Sequence, residues 1–244
     1  MNPLEHCIIP DWPAPARVKA LQTTRQGGVS MAPYDSLNLG NHVGDNPLAV
    51  ERNQMPLDTV LPSEPVWLEQ AHGTLVADAD HTNCLPQADA CIARRRDSVC
   101  VVMTADCLPV LLCDAQGSVV GAAHAGWKGL AAGVVGATVR AMGVAPQNLM
   151  AWLGPAINQE AFEVGEEVRA AFVTAQPQAA SAFIHRLSGK WLADIYALAR
   201  LRLNALDITQ IYGGGHCTYR EREKFFSYRH DGVTGRMGTF IWLE

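Results

Sequence analysis

The sequence predicts an α+β fold, a single domain in which mixed β-sheets are flanked by helices. Apolar runs of strand length fill the middle of the chain, and longer stretches with helical periodicity occur mainly after residue 129. The two kinds of element are unevenly placed, whereas a parallel βαβ fold requires their regular alternation. The 244 residues show no internal repeat, low-complexity tract or linker, so we expect one domain over residues 1–244.

The individual elements are assigned in chain order. The first third is rich in turn residues, with a short helix near 48–55 and a strand over 66–72 that ends at a glycine. Val and Leu between turn residues predict three strands in the middle third, at 99–104, 108–113 and 118–124. Helical spacing of apolar residues predicts helices at 130–142, 163–174 and 190–206, and strands return at 208–212 and 238–243.

Composition excludes several classes of function. The formal charge of −5 and the short basic run at 94–96 argue against a nucleic-acid partner. The first twenty residues lack the basic and apolar regions of a signal peptide, and no segment is apolar enough to span a membrane. Seven cysteines without a C-x-x-C pair do not fit a secreted disulfide framework. We therefore expect a cytoplasmic protein whose thiols pack in the core or bind metal.

Cys107 and His124 stand at the two ends of a predicted hairpin. A tight turn at 114–117 sets Cys107 opposite His124, and opposed residues on antiparallel strands have Cβ atoms about 4.5 to 5.5 Å apart. That distance suits two ligands of one metal, or a thiol and its base. A buried cysteine and a core histidine are the alternative interpretation. Asp106 beside the thiol, and a helix that starts just after His124 and offers backbone N–H groups to an anion, favour a functional pair.

His72 is the best third ligand among the eight histidines, because it ends a strand-like run and precedes a glycine. His72, Cys107 and His124 would form a Cys-His-His set with a fourth position free. Three protein ligands and an open position are typical of catalytic zinc, which lowers the pKa of bound water toward about 7. The same ligands with a weak axial group also occur in blue-copper sites.

At these residues the sequence resembles a known family, the YfiH-type laccase-domain proteins, also called polyphenol oxidase-like proteins or peptidoglycan editing factors. The resemblance covers essentially the whole chain. It is carried by segments 24–30, 34–40, 42–45, 67–73, 88–90, 104–109, 123–129, 153–156, 162–165 and 225–229. Among these are Thr104-Ala-Asp-Cys-Leu-Pro109 and Ala123-His-Ala-Gly-Trp-Lys-Gly129. His72, Cys107 and His124 match the zinc-binding residues of the family.

The resemblance implies a purine-nucleoside enzyme that cleaves adenosine, inosine and methylthioadenosine with phosphate and deaminates adenosine to inosine. The older laccase label implies copper and phenol oxidation. A multicopper oxidase needs many histidines, often as His-x-His pairs, and this chain has eight histidines and no such pair. An open fourth position also suits substrate chemistry, so we expect Zn²⁺ rather than Cu²⁺.

The same three residues are the predicted catalytic group, in a pocket that binds a purine nucleoside and phosphate. Arg25, Asn38 and Arg229 are the predicted substrate contacts. An attacking phosphate needs positive charges or N–H donors, although Arg25 and Arg229 fit structural ion pairs equally well. For deamination at C6 of adenine the usual zinc-deaminase signature is absent. The nearest candidates for a proton shuttle are Glu69, Gln70 and Asp106.

Three other functions remain open from the sequence. Cys107 activated by His124 would make a thiol amidase acting on a peptidoglycan precursor, and the zinc site itself could hydrolyse such a substrate. A copper polyphenol oxidase is a further alternative. The third alternative is a protein that carries a metal ion and has no enzymatic activity.

Overall fold

The computed structural model describes residues 3–82 and 85–244. The predicted fold class is confirmed, because the described chain forms mixed sheets flanked by helices. Cys84, one of the seven cysteines counted above, lies outside the described residues. No helix within the described ranges is long and apolar enough to cross a membrane.

Strands and helices are numbered here in chain order. The strands are Val18–Gln22 (β1), Val76–Asp78 (β2), Ala90–Ala93 (β3), Cys100–Thr104 (β4), Leu108–Asp114 (β5), Val120–Ala125 (β6), Leu149–Leu153 (β7), Glu163–Val164 (β8), Phe183–His185 (β9), Trp191–Ala193 (β10), Gln210–Gly213 (β11) and Met237–Leu243 (β12). The α-helices are Pro47–Gln54 (α1), Trp127–Ala132 (α2), Val134–Met142 (α3), Glu166–Val173 (α4), Ile195–Asn204 (α5) and Tyr228–Asp231 (α6). Short 3₁₀ helices occupy Pro3–His6, Met55–Thr59, Pro146–Asn148 and Pro177–Ala182.

The largest sheet has six strands in the order β11-β7-β5-β6-β3-β2. Its two outer pairs, β11 with β7 and β2 with β3, are parallel, and the central pairs are antiparallel. A second sheet, β1-β12-β4, is antiparallel throughout, as is the small sheet β8-β10-β9. The six-stranded sheet is therefore mixed, as the uneven order of elements predicts.

Both faces of the six-stranded sheet are buried. Val110 belongs to the hydrophobic cluster that includes residues of α3 and α5, whereas its neighbour Leu111 belongs to the cluster that includes residues of β1, β4 and β12. Successive side chains of a strand point to opposite faces, so helices cover one face and the second sheet covers the other. Every residue of β5 and β6 is buried, which explains why these strands read as continuous apolar runs.

The predicted register of the β5–β6 hairpin is wrong by two residues. Leu108 pairs with Ala125 and Cys113 with Val120, so His124 lies opposite Pro109 and Cys107 lies outside β5. The loop is longer than predicted because the Asp114 carboxylate accepts hydrogen bonds from the backbone N–H groups of Ser118 (2.6 Å) and Val119 (3.0 Å). A shift of two residues restores the same face of a strand, so the predicted proximity of Cys107 and His124 does not depend on the error.

Other predicted elements need correction as well. Residues 66–72 form no strand, since this segment makes only isolated bridges at Val66 and Glu69. The helix predicted over 130–142 is divided at Gly133, whose φ of 98° belongs to the left-handed region. The helices predicted at 163–174 and 190–206 each begin with a short strand, β8 and β10. Strands β1, β2, β3, β7 and β9 were not predicted.

Candidate metal centre and adjoining pocket

The structure brings His72, Cys107 and His124 together at one end of the six-stranded sheet. Cys107 directly precedes β5 and His124 lies near the end of β6. Because β5 and β6 are antiparallel, both residues lie at the same end of the sheet. The possible ligand atoms of the three residues lie within 4.8 Å of one another. Cys107 Sγ is 3.8 Å from His72 Nε2, and the two imidazole rings meet edge to face with centroids 4.8 Å apart.

The backbone around this group is unusual at two points. His72 has a φ of 59°, a left-handed conformation that is uncommon for residues other than glycine. Gly126 faces the group, and a Cβ atom added there would lie 2.8 Å from Cys107 Sγ and 3.1 Å from His72 Cδ2. Glycine at position 126 therefore leaves the space in which the sulfur and the imidazole approach each other.

Asp89 holds two of the three residues in place. It is buried, and its Oδ1 accepts hydrogen bonds from His124 Nδ1 (2.9 Å) and the backbone N–H of His72 (2.8 Å). Its Oδ2 accepts from the backbone N–H groups of Ala71 (3.2 Å) and Gly73 (2.6 Å). Because Nδ1 of His124 is engaged by the carboxylate, Nε2 is left to serve as a ligand, the arrangement typical of metal-binding histidines.

The sequence places Asp89 within the family motif at 88–90 and predicts no role for it. The signal for it is a single carboxylate between two alanines at the start of a buried strand, because a buried charge needs partners. Burial raises the pKa of Asp89, but hydrogen bonds from His124 and from the backbone of Gly73 and Ala71 outweigh that effect and lower it overall. Asp89 therefore remains an anionic acceptor behind His124.

The thiol and the imidazole of the group form a charged pair when no metal is bound. Burial raises the pKa of Cys107, but His124 and His72 beside the sulfur lower it to about 6. Burial lowers the pKa of His124, but Cys107 and Asp89 raise it to about 9. At neutral pH the metal-free pair is accordingly thiolate and imidazolium, and Cys107 already has the ionisation state of a metal ligand.

The donor set fits a metal ion. Ligand bonds of about 2.0 to 2.3 Å in a tetrahedral site place neighbouring ligand atoms about 3.5 Å apart. The separation of 3.8 Å between Cys107 Sγ and His72 Nε2, and the overall span of 4.8 Å, need only a small contraction to reach that geometry. The group can therefore hold one metal ion, and three protein ligands would leave a fourth coordination position free.

A pocket of about 270 Å³ lies directly beside this group. Its apolar wall consists of Ala105, Trp127, Ile157, Phe162 and Ile195. Its polar lining residues, called here the polar side of the pocket, are His72, Asp106, Cys107, Lys128, Tyr228 and Arg229. An apolar cavity with a few polar groups converging at one end is the usual form of a small-molecule site.

Arg229, one of the three predicted substrate contacts, lines this pocket. Its Nη1 donates to the backbone carbonyl of Glu163 at 2.9 Å, and its guanidinium lies 5.5 Å from the centre of the Phe162 ring. These contacts fix the side chain on the pocket wall without using all of its N–H groups. Arg229 thus keeps donors available for a ligand.

The structure does not bring Arg25 to the pocket. Arg25 donates to the carbonyl oxygens of Asp35 (2.8 Å) and Arg222 (3.0 Å) and forms an ion pair with the Asp35 carboxylate at 3.3 Å. Its guanidinium also lies over the Phe226 ring at 4.8 Å. Arg25 lines a different cleft, of about 1070 Å³. The sequence left open whether Arg25 contacts phosphate or forms a structural ion pair, and these contacts favour the structural ion pair.

Asn38 is also separate from the pocket. It is fully buried, and its Oδ1 accepts from the backbone N–H groups of Gly40 and Arg236, each at 2.9 Å. Its Nδ2 donates to Asp45 Oδ2 at 2.9 Å and to the Gly40 carbonyl at 3.2 Å. With both ends of the amide engaged inside the protein, Asn38 joins two loops and has no free group to offer a substrate.

The three residues proposed as a proton shuttle are engaged or distant. Asp106 lines the pocket, but its Oδ1 accepts from the Thr218 hydroxyl and its Oδ2 from the Arg229 backbone N–H, both at 2.6 Å. The Gln70 amide pairs with the backbone N–H and carbonyl of Met103. Glu69 is exposed and is not part of the pocket lining. Asp106 therefore links the segment at Thr218 to the start of helix α6 at Arg229.

Comparison with known proteins gives a consistent result. Residues 19–244 match the family model described as multi-copper polyphenol oxidoreductase laccase. The chain is 54% identical over 239 residues to the purine nucleoside phosphorylase YfiH of Escherichia coli, covering 97% of this chain and 98% of that protein. It is 53% identical over 238 residues to a purine nucleoside phosphorylase of Pseudomonas aeruginosa, covering 97% and 98%.

Solved structures agree with the sequence matches. A Neisseria meningitidis protein of the family DUF152 superposes with a TM-score of 0.96 at 54% identity, covering 98% of this chain and 99% of that one. The YfiH protein of Bacillus licheniformis superposes with a TM-score of 0.87 at 32% identity, covering 93% of each chain. The fold, the sequence matches and the residues around Cys107 together show that this chain belongs to the YfiH-type laccase-domain family.

Proposed function

We propose that this chain is a zinc-dependent purine nucleoside enzyme. In this proposal it cleaves adenosine, inosine and methylthioadenosine with phosphate and also deaminates adenosine to inosine. The observation that carries the proposal is the group of His72, Cys107 and His124 at the end of an apolar pocket whose polar side includes Lys128 and Arg229. The names of the relatives, which are purine nucleoside phosphorylases, support it.

Zinc fits the ligand set better than copper. One thiolate and two imidazoles with an open position are typical of catalytic zinc. His72, Cys107 and His124 are the sole group of possible metal ligands found among the described residues, whereas a multicopper enzyme needs several. Bound there, zinc would supply a Lewis acid and lower the pKa of water.

The pocket walls suit the base of a nucleoside. Trp127 and Phe162 present aromatic surface, and Ile157 and Ile195 complete the apolar lining. Such surfaces favour a flat, weakly polar ring system over a charged group. The ribose and the phosphate would then lie near the polar side of the pocket, where Arg229 retains free N–H donors.

Phosphorolysis at this site follows a simple balance of bonds. An oxygen of phosphate forms a bond to C1′ of the ribose while the bond from C1′ to N9 of the purine breaks. The electron pair of that bond leaves with the purine, which takes up one proton. Positive side chains assist the reaction by holding the phosphate next to C1′.

The test is a product analysis on protein of verified metal content. We expect one zinc per chain, release of hypoxanthine from inosine only when phosphate is present, and formation of inosine from adenosine without phosphate. Chelated protein should lose both reactions and recover them with zinc. Full turnover by protein freed of metal would overturn the zinc proposal.

A thiol hydrolase remains the second proposal, and one observation favours it. Cys107, His124 and Asp89 have the order of a nucleophile, its base and the group that orients the base. Such an enzyme would act as an amidase on a peptidoglycan precursor. Alkylation of Cys107 in metal-free protein would abolish amidase activity, whereas chelation alone would leave it intact. A zinc amidase would lose the activity on chelation.

We further propose that residues 1–244 form one domain that works in the cytoplasm. The thiols of Cys91, Cys100, Cys107, Cys113 and Cys217 form no disulfide within the described chain. Free thiols in these numbers are typical of a reducing compartment. Localisation of the tagged protein in cell fractions would test this assignment.

A further inference from the structure

The pocket beside Cys107 is lined by two cationic side chains that form no ion pair within the described ranges. Asp106 is the single carboxylate among the described residues that line it, and both of its oxygens already accept hydrogen bonds, from the Thr218 hydroxyl and the Arg229 backbone. Two cationic side chains, Lys128 and Arg229, line the same pocket. Apart from the group of possible metal ligands, the described lining therefore carries two cationic side chains and one carboxylate.

Neither cation has a carboxylate partner within the described ranges. The Arg229 guanidinium donates only to the backbone carbonyl of Glu163, whose own carboxylate pairs with Lys190 at 3.0 Å. Lys128 makes no ion pair in this part of the structure, and its ammonium lies 5.8 Å from the centre of its neighbour's ring, Trp127. Elsewhere, Arg169 and Arg220 pair with glutamates.

A third cation lies close behind the pocket. Arg236 is half-buried, its Nη1 donates to the backbone carbonyls of Thr234 and Gly235, and its guanidinium lies 5.9 Å from the centre of the Tyr228 ring. It too has no carboxylate partner among the described residues. Its charge adds to those of Lys128 and Arg229, because it contacts Tyr228, which lines the pocket.

The excess of cations is notable in a chain with a net charge of −5. Unpaired positive charges beside apolar walls attract anions strongly, because the surrounding medium screens them less than water does. A guanidinium with free N–H groups and an ammonium on a flexible stem together suit the several oxygens of a tetrahedral anion. A metal ion held by His72, Cys107 and His124 would add to the positive charge.

We propose that Lys128 and Arg229 form the subsite for inorganic phosphate in this pocket. Arg229 is fixed on the wall by Glu163 and Phe162, so it provides a preorganised donor. Lys128 is exposed and adjusts its position to the bound anion. This assignment rests on the proposed phosphorolysis, since it locates the second substrate of that reaction.

The first measurement is the dependence of inosine cleavage on phosphate concentration, using the zinc-loaded enzyme. Lys128→Ala should raise KM for phosphate about 10- to 100-fold, the effect expected for loss of one contact between charged groups, and change KM for inosine at most about twofold. Lys128→Arg should restore most of the affinity. Lys19→Ala is the matched control, because Lys19 is a partly exposed lysine of β1 that pairs with Glu244.

The second measurement is direct binding of inorganic phosphate to the same zinc-loaded proteins by calorimetry. Because it does not depend on nucleoside cleavage, this measurement tests the phosphate subsite separately from the proposed phosphorolysis. Phosphate that binds the wild type but not Lys128→Ala supports the subsite even if no nucleoside is cleaved. Equal phosphate binding by the wild type and Lys128→Ala, or no binding by the wild type, would overturn the assignment.

Discussion

Two clefts of this molecule carry arginines that the sequence singled out, and they differ in what those arginines contact. The larger cleft, of about 1070 Å³, contains Arg25, whose N–H groups are taken by Asp35 and the Arg222 carbonyl. The smaller, of about 270 Å³, contains Arg229 and Lys128, which have no carboxylate partner among the described residues. In the proposed assignment the anion therefore binds in the smaller cleft, where donors are free, and not in the larger one.

The largest expected effect tests whether the smaller pocket is the active one. Cys107→Ala removes the thiolate of the ligand group, so bound zinc and adenosine turnover should both be lost. Metal analysis and a coupled nucleoside assay would measure this loss. Cys217→Ala, which removes a thiol outside the group, should keep both properties. A Cys107→Ala protein with full turnover would move the reaction away from this pocket.

The second largest effect concerns Asp89, which orients His124 and holds the backbone at His72. Asp89→Asn removes the charge that orients His124 and holds the backbone of residues 71–73, so zinc affinity should fall about 10- to 100-fold. Competition with a fluorescent chelator would measure the affinity. Asp80→Asn is a suitable control, since Asp80 also accepts from backbone N–H groups but does so at Arg94 and Arg95. Equal losses in the two variants would contradict a specific role for Asp89.

A smaller effect distinguishes the thiol of the ligand group from ordinary thiols. Because His124 and His72 lower the pKa of Cys107 to about 6, metal-free protein should be alkylated at Cys107 with a rate that falls as pH drops through 6. At pH 7 the rate should exceed that of an ordinary exposed cysteine about tenfold. Mass spectrometry after timed alkylation would show it. Zinc should block the reaction, and a midpoint near 8.5 would contradict the charged pair.

The smallest effect probes the larger cleft. Arg25→Ala should leave KM for phosphate within about threefold of the wild type, because the N–H groups of Arg25 contact Asp35 and Arg222. Loss of these contacts should instead cost about 1 to 2 kcal/mol of folding free energy, measurable by denaturant unfolding. A tenfold rise in KM for phosphate would place the anion in the larger cleft and reverse the comparison.

Sequence patterns predicted that Cys107 and His124 lie close together because the signals for this proximity are local. Cys107 and His124 flank two buried strands, and the side chains of a strand repeat every two residues, so even a register wrong by two residues preserved the shared face. The register error came from Asp114, whose carboxylate caps the loop through contacts that hydrophobic periodicity does not reveal. The proposed roles of the three residues await the experiments above.

The substrate contacts were harder to predict because they depend on what else each side chain touches. Arg25 and Arg229 both lie within family motifs, so the sequence does not distinguish them. The structure shows that Asp35 engages the Arg25 guanidinium. It also shows that the contact of Arg229 with Glu163 leaves N–H donors of Arg229 free. Asn38 is engaged by Arg236, 198 residues away in the chain. Distant partners of this kind leave no trace in the local sequence pattern.

The three ligand residues also have a consequence for folding. His72 and Cys107 are 35 residues apart, and Asp89 and His124 are likewise 35 residues apart, so the group forms only after distant segments have docked. An ion that binds the native group and not the unfolded chain acts as a reversible cross-link between them. The free metal concentration then contributes to the half-life of the native chain, apart from any part the ion takes in chemistry.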